Sequence, residues 1–217
     1  MGNSIILFQG DSITDCERNR ENPISLGNGY VKRINEILQK KYSSIGLDVK
    51  NRGVSGNRVV DLCERWERDC IALKPDIVTI LIGINDCWRR YSENDPTSAQ
   101  DFENNYRFII QHTKSKLPNV KIIIMEPFVF PYPPDRAGWR EDLDPKIQAV
   151  RRIAVDFRCY FIPLDGIFAQ VATTKGYEYL AKDGIHPTDE GHKIITREWL
   201  KLYENSIMQG DGSTASP

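Results

Sequence analysis

Three short stretches of this chain are apolar on almost every successive residue: Ile5-Ile6-Leu7-Phe8, Ile77-Val78-Thr79-Ile80-Leu81-Ile82 and Ile122-Ile123-Ile124-Met125. A strand with one wet face alternates apolar and polar residues. Runs without that alternation belong to strands buried on both faces, the situation of a parallel sheet. With two further runs of strand length, the expected strands are Ser4–Gln9, Leu47–Asn51, Asp76–Ile82, Val120–Met125 and Tyr160–Pro163.

Between these runs the apolar period changes to that of a helix. Tyr30, Ile34, Ile37, Leu38 and the stem of Lys41 form one stripe, and Val59, Leu62, Cys63, Trp66, Cys70 and Leu73 a second. Phe102, Tyr106, Ile109, Ile110 and Leu117 form a third, entered from a cap at Ser98. Ile147, Val150, Ala154 and Phe157 mark a fourth, and Ile194, Ile195, Trp199, Leu202 and Tyr203 a last one. Strand and helix alternating about five times imply right-handed crossovers, hence a three-layer α/β/α sandwich around a doubly wound parallel sheet of five strands. A closed barrel would need eight such units. The expected organisation is a single domain over 1–208 and a disordered Gly/Ser/Thr tail over 209–217. One segment, Pro127–Leu143, breaks the rhythm; rich in Pro and aromatics, it reads as a long loop serving as a lid over a pocket or as an interface between copies of a homo-oligomer.

Composition narrows the partners. Lys and Arg number 29 against 30 Asp and Glu, a net charge of −1, so neither a nucleic-acid footprint nor an acidic tail is expected. Uninterrupted apolar stretches such as Ile80-Leu81-Ile82 are far too short to span a bilayer, and the first residues lack the basic and apolar regions of a secretion signal. Gly2 is followed by Ile6 where an N-myristoylation motif requires Ser or Thr. Five cysteines, an odd number with no C-x-x-C pair, point to a reducing, cytoplasmic setting.

In open α/β sheets ligands sit beyond the carboxyl ends of the strands. The residues just past the strands are therefore the informative ones: Gly10-Asp11-Ser12-Ile13-Thr14, Gly53-Val54-Ser55-Gly56-Asn57, Gly83-Ile84-Asn85-Asp86 and, late in the chain, Asp183-Gly184-Ile185-His186-Pro187. Taken singly each is ordinary: Ser12 could cap a helix, His186 could be a satisfied loop histidine, and Asp11 and Asp86 could bond turn amides. Together they supply a nucleophile, a base with an acid three residues upstream, and amide donors, the inventory of acyl transfer. Neither Ser12 nor Ser55 lies in a G-x-S-x-G elbow, which disfavours an ordinary α/β-hydrolase. His192 reads as a supporting residue and Cys87 as a packed thiol. No cysteine or third histidine completes a zinc set with Asp183, His186 and His192, so neither metal nor other cofactor is expected.

These four blocks, in this order, resemble the SGNH (GDSL) hydrolase superfamily from Ile5 to about Leu202. The resemblance implies a flavodoxin-like fold, Ser12 as nucleophile, His186 as general base and Asp183 as its partner. It also implies an oxyanion hole made by the backbone N–H groups of Ser12 and Gly53 and the side-chain amide of Asn85. Ser12-Ile13-Thr14-Asp15-Cys16, Ser55-Gly56-Asn57-Arg58-Val59-Val60-Asp61-Leu62 with Arg65-Trp66-Glu67, and Ile82-Gly83-Ile84-Asn85-Asp86-Cys87-Trp88-Arg89 further resemble small intracellular acetyl esterases acting on xylo-oligosaccharides. Asp11, Trp88, Arg89, Trp139 and Arg140 are then candidates for contact with a small ester substrate. The same superfamily holds lysophospholipases, acyl-thioesterases and pectin deacetylases. Outside enzymes, the alternatives are a flavodoxin-like binding module, for which Gly10-Asp11-Ser12 is a poor phosphate loop, and an inactive sugar-binding relative.

Overall fold

The computed structural model describes residues 4–210. Five strands, β1 (Ser4–Gly10), β2 (Leu47–Asn51), β3 (Ile77–Leu81), β4 (Lys121–Met125) and β5 (Tyr160–Ile162), all pair in parallel in the order β2-β1-β3-β4-β5. Each falls within a residue or two of its expected bounds. The helices are α1 (Ser12–Asp15), α2 (Tyr30–Lys41), α3 (Val59–Asp69), α4 (Ile84–Ser92), α5 (Ala99–Lys116), α6 (Arg140–Asp156), α7 (Leu164–Lys175) and α8 (Asp189–Leu202).

Side chains on successive strand residues point to opposite faces, and here both faces are covered. Ile6, Phe8, Leu81, Ile123 and Met125 pack into one core with Tyr30 and Ile34 of α2, Phe168 of α7 and Trp199 of α8. Leu7, Val78, Ile80, Ile122 and Ile124 pack into the other with Leu62 and Trp66 of α3, Phe102 and Tyr106 of α5 and Val150 of α6. Two buried hydroxyls in these layers are satisfied across them: Thr79 on β3 accepts from the Trp199 indole at 2.9 Å, and Thr113 accepts from that of Trp66 at 2.8 Å. Ser98 caps α5 as expected, accepting from the Asp101 N–H. Ile37 does not belong to the buried stripe of α2; it is 40% exposed.

Three segments differ from their expected form. Pro127–Leu143 is not a free loop: Phe128, Val129 and Phe130 are buried, Pro134–Trp139 forms a 3-10 turn, and α6 already begins at Arg140. Gly83-Ile84-Asn85-Asp86 is the start of α4 rather than a turn. Gln209 and Gly210, expected in the tail, close a helical segment beginning at Met208; the remainder of that tail, and Met1–Asn3, lie outside the described residues.

β1 lies between β2 and β3, so the chain leaves it in one direction and later returns on its other side. The switch point of the sheet is therefore at the carboxyl ends of β1 and β3, the place where ligands bind in such folds.

Candidate active site

Immediately past β1 the Asp11 carboxylate accepts the Ile13 N–H at 3.0 Å and caps α1, which puts Ser12 at the first helical position. A residue there has no acceptor within its own helix, and the Ser12 N–H has no partner among the described residues. The Ser12 Oγ lies 2.9 Å from Nε2 of His186, and Nδ1 of that ring lies 2.6 Å from Oδ2 of Asp183. An ionised Asp183 accepts the Nδ1 proton, which leaves Nε2 free to accept from Ser12. The other Asp183 oxygen accepts the N–H groups of Ile185 and His186 at 3.0 and 2.7 Å, so the loop is folded around its own carboxylate. The expected lid supports this loop from behind: the Phe130 N–H donates to the Gly184 carbonyl at 2.9 Å.

Burial works against ionisation of Asp183, but the hydrogen bonds from the His186 ring and from the His186 and Ile185 amides outweigh it and hold the carboxyl down at about 2. The Asp183 hydrogen bond pushes the His186 imidazole above its ordinary range, with burial pulling the other way; the charges of Asp183 and Asp11 add to the rise and that of Arg136 opposes it. The second histidine of this region behaves differently. His192 accepts the Tyr30 N–H on Nδ1 at 3.2 Å, faces the Cys16 thiol 3.5 Å from Nε2, and is pushed by burial down to about 4. It is a neutral support for the wall of the cleft.

Of the three expected oxyanion donors, the structure corrects one. The Gly53 N–H is buried and donates to Oδ1 of Asn51 at 2.8 Å, so it is not available to a ligand. Gly53 is required by space: a Cβ there would sit 2.4 Å from the Asp15 nitrogen. Three residues on, Gly56 adopts φ +83°, lines the cleft with Ser12, Asn85 and His186, and has an N–H without a partner among the described residues. The sequence signal for Gly56 was present in Ser55-Gly56-Asn57, but two glycines in one block cannot be told apart without their backbone conformation. The Asn85 amide spends one N–H on the Asn57 carbonyl at 3.0 Å and keeps the second.

Two clefts, of about 430 and 380 Å³, meet at Ser12, Ser55 and His186. Trp88 and Arg89 line the smaller one, and the Trp88 ring lies 5.9 Å from that of His186. The other contact candidates do not reach either cleft. Trp139 is buried, stacked on Tyr91 at 4.9 Å with the Arg136 guanidinium 4.2 Å from its ring centre. Arg140 is held by Asp144 and Asp165. Asp11 is buried beneath Ser12, where loss of solvation raises its carboxyl to about 7. Burial pushes the Cys87 thiol up to about 12, so it stays a packed group.

A hydroxyl, an imidazole and a carboxylate in series, with amide donors on the same cleft, form the equipment for acyl transfer by a serine hydroxyl. On the switch point of a five-stranded parallel sheet, that places the chain in the class of α/β ester hydrolases. The profile of the GDSL-like lipase/acylhydrolase family matches residues 8–194, and the chain belongs to that family. It is 38% identical over 205 residues to an acetylxylan esterase from Geobacillus stearothermophilus, covering 90% of this chain and 92% of the relative. Among solved structures, a GDSL-like lipase from Parabacteroides merdae superposes with a TM-score of 0.88 at 33% identity, over 94% of this chain and 96% of that one. Axe2, an acetylxylan esterase from Geobacillus stearothermophilus, superposes with a TM-score of 0.81 at 37% identity, over 92% and 94%. Axe2 variants altered at a serine, an aspartate and a histidine, the last two three residues apart, are described as catalytic mutants. The chain is a carboxylic ester hydrolase. No helix among the described residues is long and apolar enough to cross a membrane.

Proposed function

We propose that this enzyme removes short acyl groups, acetyl above all, from hydroxyls of oligosaccharides through an acyl-enzyme on Ser12. His186 Nε2 takes the Ser12 proton as Oγ attacks the ester carbonyl, and Asp183 stabilises the imidazolium that forms. The Ser12 and Gly56 N–H groups and the free Asn85 N–H receive the oxyanion; each such donor is worth about 2.7–4 kcal/mol of barrier. His186 then protonates the departing sugar oxygen, and the same groups carry water through the second half-reaction. The observation that carries this reading is the unbroken chain from Ser12 Oγ through His186 to Asp183, at 2.9 and 2.6 Å, opening on the cleft lined by Gly56 and Asn85.

The walls of the clefts support a short acyl group. Glu17, Asn28 and Asp189 line one cleft, and Arg89, Ser92 and Glu93 the other. A lysophospholipase or long-chain thioesterase needs a continuous apolar channel; both clefts are instead open and mix these groups with apolar ones such as Ile13, Pro187 and Trp88, which favours a short acyl group. The likeness to acetylxylan esterases supports acetylated saccharides as the substrate class. The five unpaired thiols suit a reducing, cytoplasmic compartment. The deciding experiment is release of the free acid from acetylated xylo-oligosaccharides, lysolipids and acyl-thioesters by wild type and Ser12→Ala. The reading requires the first to be hydrolysed best and Ser12→Ala to lose the activity while remaining folded; preferred hydrolysis of the lipid or thioester contradicts it.

A further inference from the structure

The strongest unexplained contacts near the site lie between α4 and the segment that carries Gly56. Three side chains from the first two turns of α4 reach that segment. The Asn85 amide donates to the Asn57 carbonyl at 3.0 Å, the Asp86 carboxylate accepts the Val59 N–H at 3.0 Å, and the Arg89 Nη2 donates to the Gly56 carbonyl at 3.3 Å. Asn85 and Arg89 are four residues apart on a helix and therefore share a face. From the other side Asp15 accepts both the N–H and the hydroxyl of Ser55, at 2.9 and 3.2 Å.

Gly56 thus sits between two anchors. Its N–H belongs to the peptide whose Ser55 end is held by Asp15, and its carbonyl is held by Arg89. Glycine has the widest backbone freedom of any residue, so at φ +83° the direction of its N–H depends on what fixes the two flanking peptides. The Arg89 guanidinium is itself restrained, because Nη1 is paired with Glu93 one turn on at 2.7 Å. These two bonds use two of its five N–H groups and fix the plane of the guanidinium against the Gly56 peptide.

We infer that Arg89 is a positioning residue, which aims the Gly56 N–H at the oxyanion, and not a contact for the saccharide. This role rests on the Ser12 mechanism of the proposed function. A donor displaced by about 1 Å can cost on the order of a hundredfold in rate without weakening ground-state binding.

The test uses Arg89→Met and Arg89→Lys with p-nitrophenyl acetate and with an acetylated xylo-oligosaccharide. Arg89→Met is expected to lower kcat about 10- to 100-fold on both substrates with KM within about twofold, and Arg89→Lys to lose less. Millimolar guanidinium, which can reach the cleft that Arg89 lines, should restore part of the kcat of Arg89→Met, and urea at equal concentration should not. Hydrogen exchange at the Asn57 amide, whose N–H donates to the Val54 carbonyl at 3.1 Å across the Gly56 turn, should quicken in Arg89→Met, a readout that does not depend on which group is the nucleophile. Unchanged kcat, a rise in KM confined to the saccharide, absence of guanidinium rescue or unchanged exchange at Asn57 would each overturn the assignment. If Arg89→Met does not fold, the same kcat and exchange criteria apply to Arg89→Lys. Retained turnover in Ser12→Ala would instead remove the mechanism on which the proposal rests, with exchange at Asn57 still deciding separately whether Arg89 holds the loop.

Discussion

The Gly53 N–H points into the protein, onto Oδ1 of Asn51 at 2.8 Å. Asn51, fully buried at the end of β2, uses its amide nitrogen on the carbonyls of Thr14 and Leu26, at 2.7 and 2.9 Å. One side chain therefore ties β2 to α1, to the loop ahead of α2 and to the start of its own loop. The outcome is a rigid base at Gly53 from which Ser55 and Gly56 project over the cleft.

The two glycines should respond differently to alanine. Gly53→Ala brings a Cβ within 2.4 Å of backbone and should cost about 3 kcal/mol or more of stability. At Gly56 a Cβ finds only Arg89 Nη2 at 3.8 Å, so the penalty is the left-handed backbone alone, about 1–2 kcal/mol. Gly56→Ala should remain folded with kcat down at least about tenfold. Urea unfolding and steady-state kinetics on both variants distinguish these outcomes.

In the proposed mechanism His186 acts as base only when neutral, and its imidazole is raised by the Asp183 hydrogen bond. The kcat/KM of the wild type should therefore climb with pH through a midpoint above the ordinary histidine value of about 6.5, later than an unperturbed imidazole would give. Asp183→Asn should move the midpoint down and reduce the rate by up to about 10⁴-fold. The same pair contributes to stability in opposite windows. Because the His186 value is raised on folding, its contribution is present below about pH 6.5 and fades as pH rises through the folded value. Because the Asp183 value is lowered, its contribution is present above about pH 4 and fades as pH falls toward 2. A pH–rate profile of both proteins tests the first statement and urea titrations across pH the second.

Asp86 is fully buried, with Oδ2 on the Val59 N–H and Oδ1 without a partner among the described residues; burial raises its carboxyl to about 7. A folded state that holds this proton more tightly than the unfolded chain loses stability as pH rises from about 4 to 7. Asp86→Asn keeps an oxygen for Val59 and removes the ionisation. It should match wild type near pH 4 and exceed it at pH 8 by on the order of 2–4 kcal/mol. Equal stability differences at the two pH values would show that the carboxyl is not a buried, reluctant acid.

Trp88 and Trp139 touch, with ring centres 5.6 Å apart, yet only Trp88 lines the cleft. Trp139→Ala should cost about 3–5 kcal/mol of stability. Trp88→Ala should raise KM for an acetylated saccharide more than for p-nitrophenyl acetate. Parallel losses on both substrates would remove Trp88 from sugar recognition.

The sheet was legible because burial on both faces leaves a plain mark in Ile5–Phe8, Ile77–Ile82 and Ile122–Met125. The placement of Ser12 and Asn85 at one edge followed from the ends of β1 and β3, whereas His186, which lies beyond α7, was placed with them only by the resemblance of its block. Residues whose role depends on backbone direction were not legible. Gly53 and Gly56 differ only in conformation, and Trp139 and Arg140 look like pocket residues until the 3-10 turn at Pro134–Trp139 carries them into packing and ion pairs. The beginning of α6 was hidden by Pro145, which sits inside it, and α4 by the turn-like letters Gly83-Ile84-Asn85-Asp86.

Whether Ser12 carries the acyl group is tested most directly by rapid mixing of the enzyme with excess p-nitrophenyl acetate, acid quenching and peptide mass analysis. A burst of up to one p-nitrophenol per enzyme is expected, with a single acetyl group on the peptide containing Ser12, both absent in Ser12→Ala. Turnover with no acetylated Ser12 peptide in an enzyme that shows the burst, or an acetyl group carried on another residue in an active enzyme, would contradict this role.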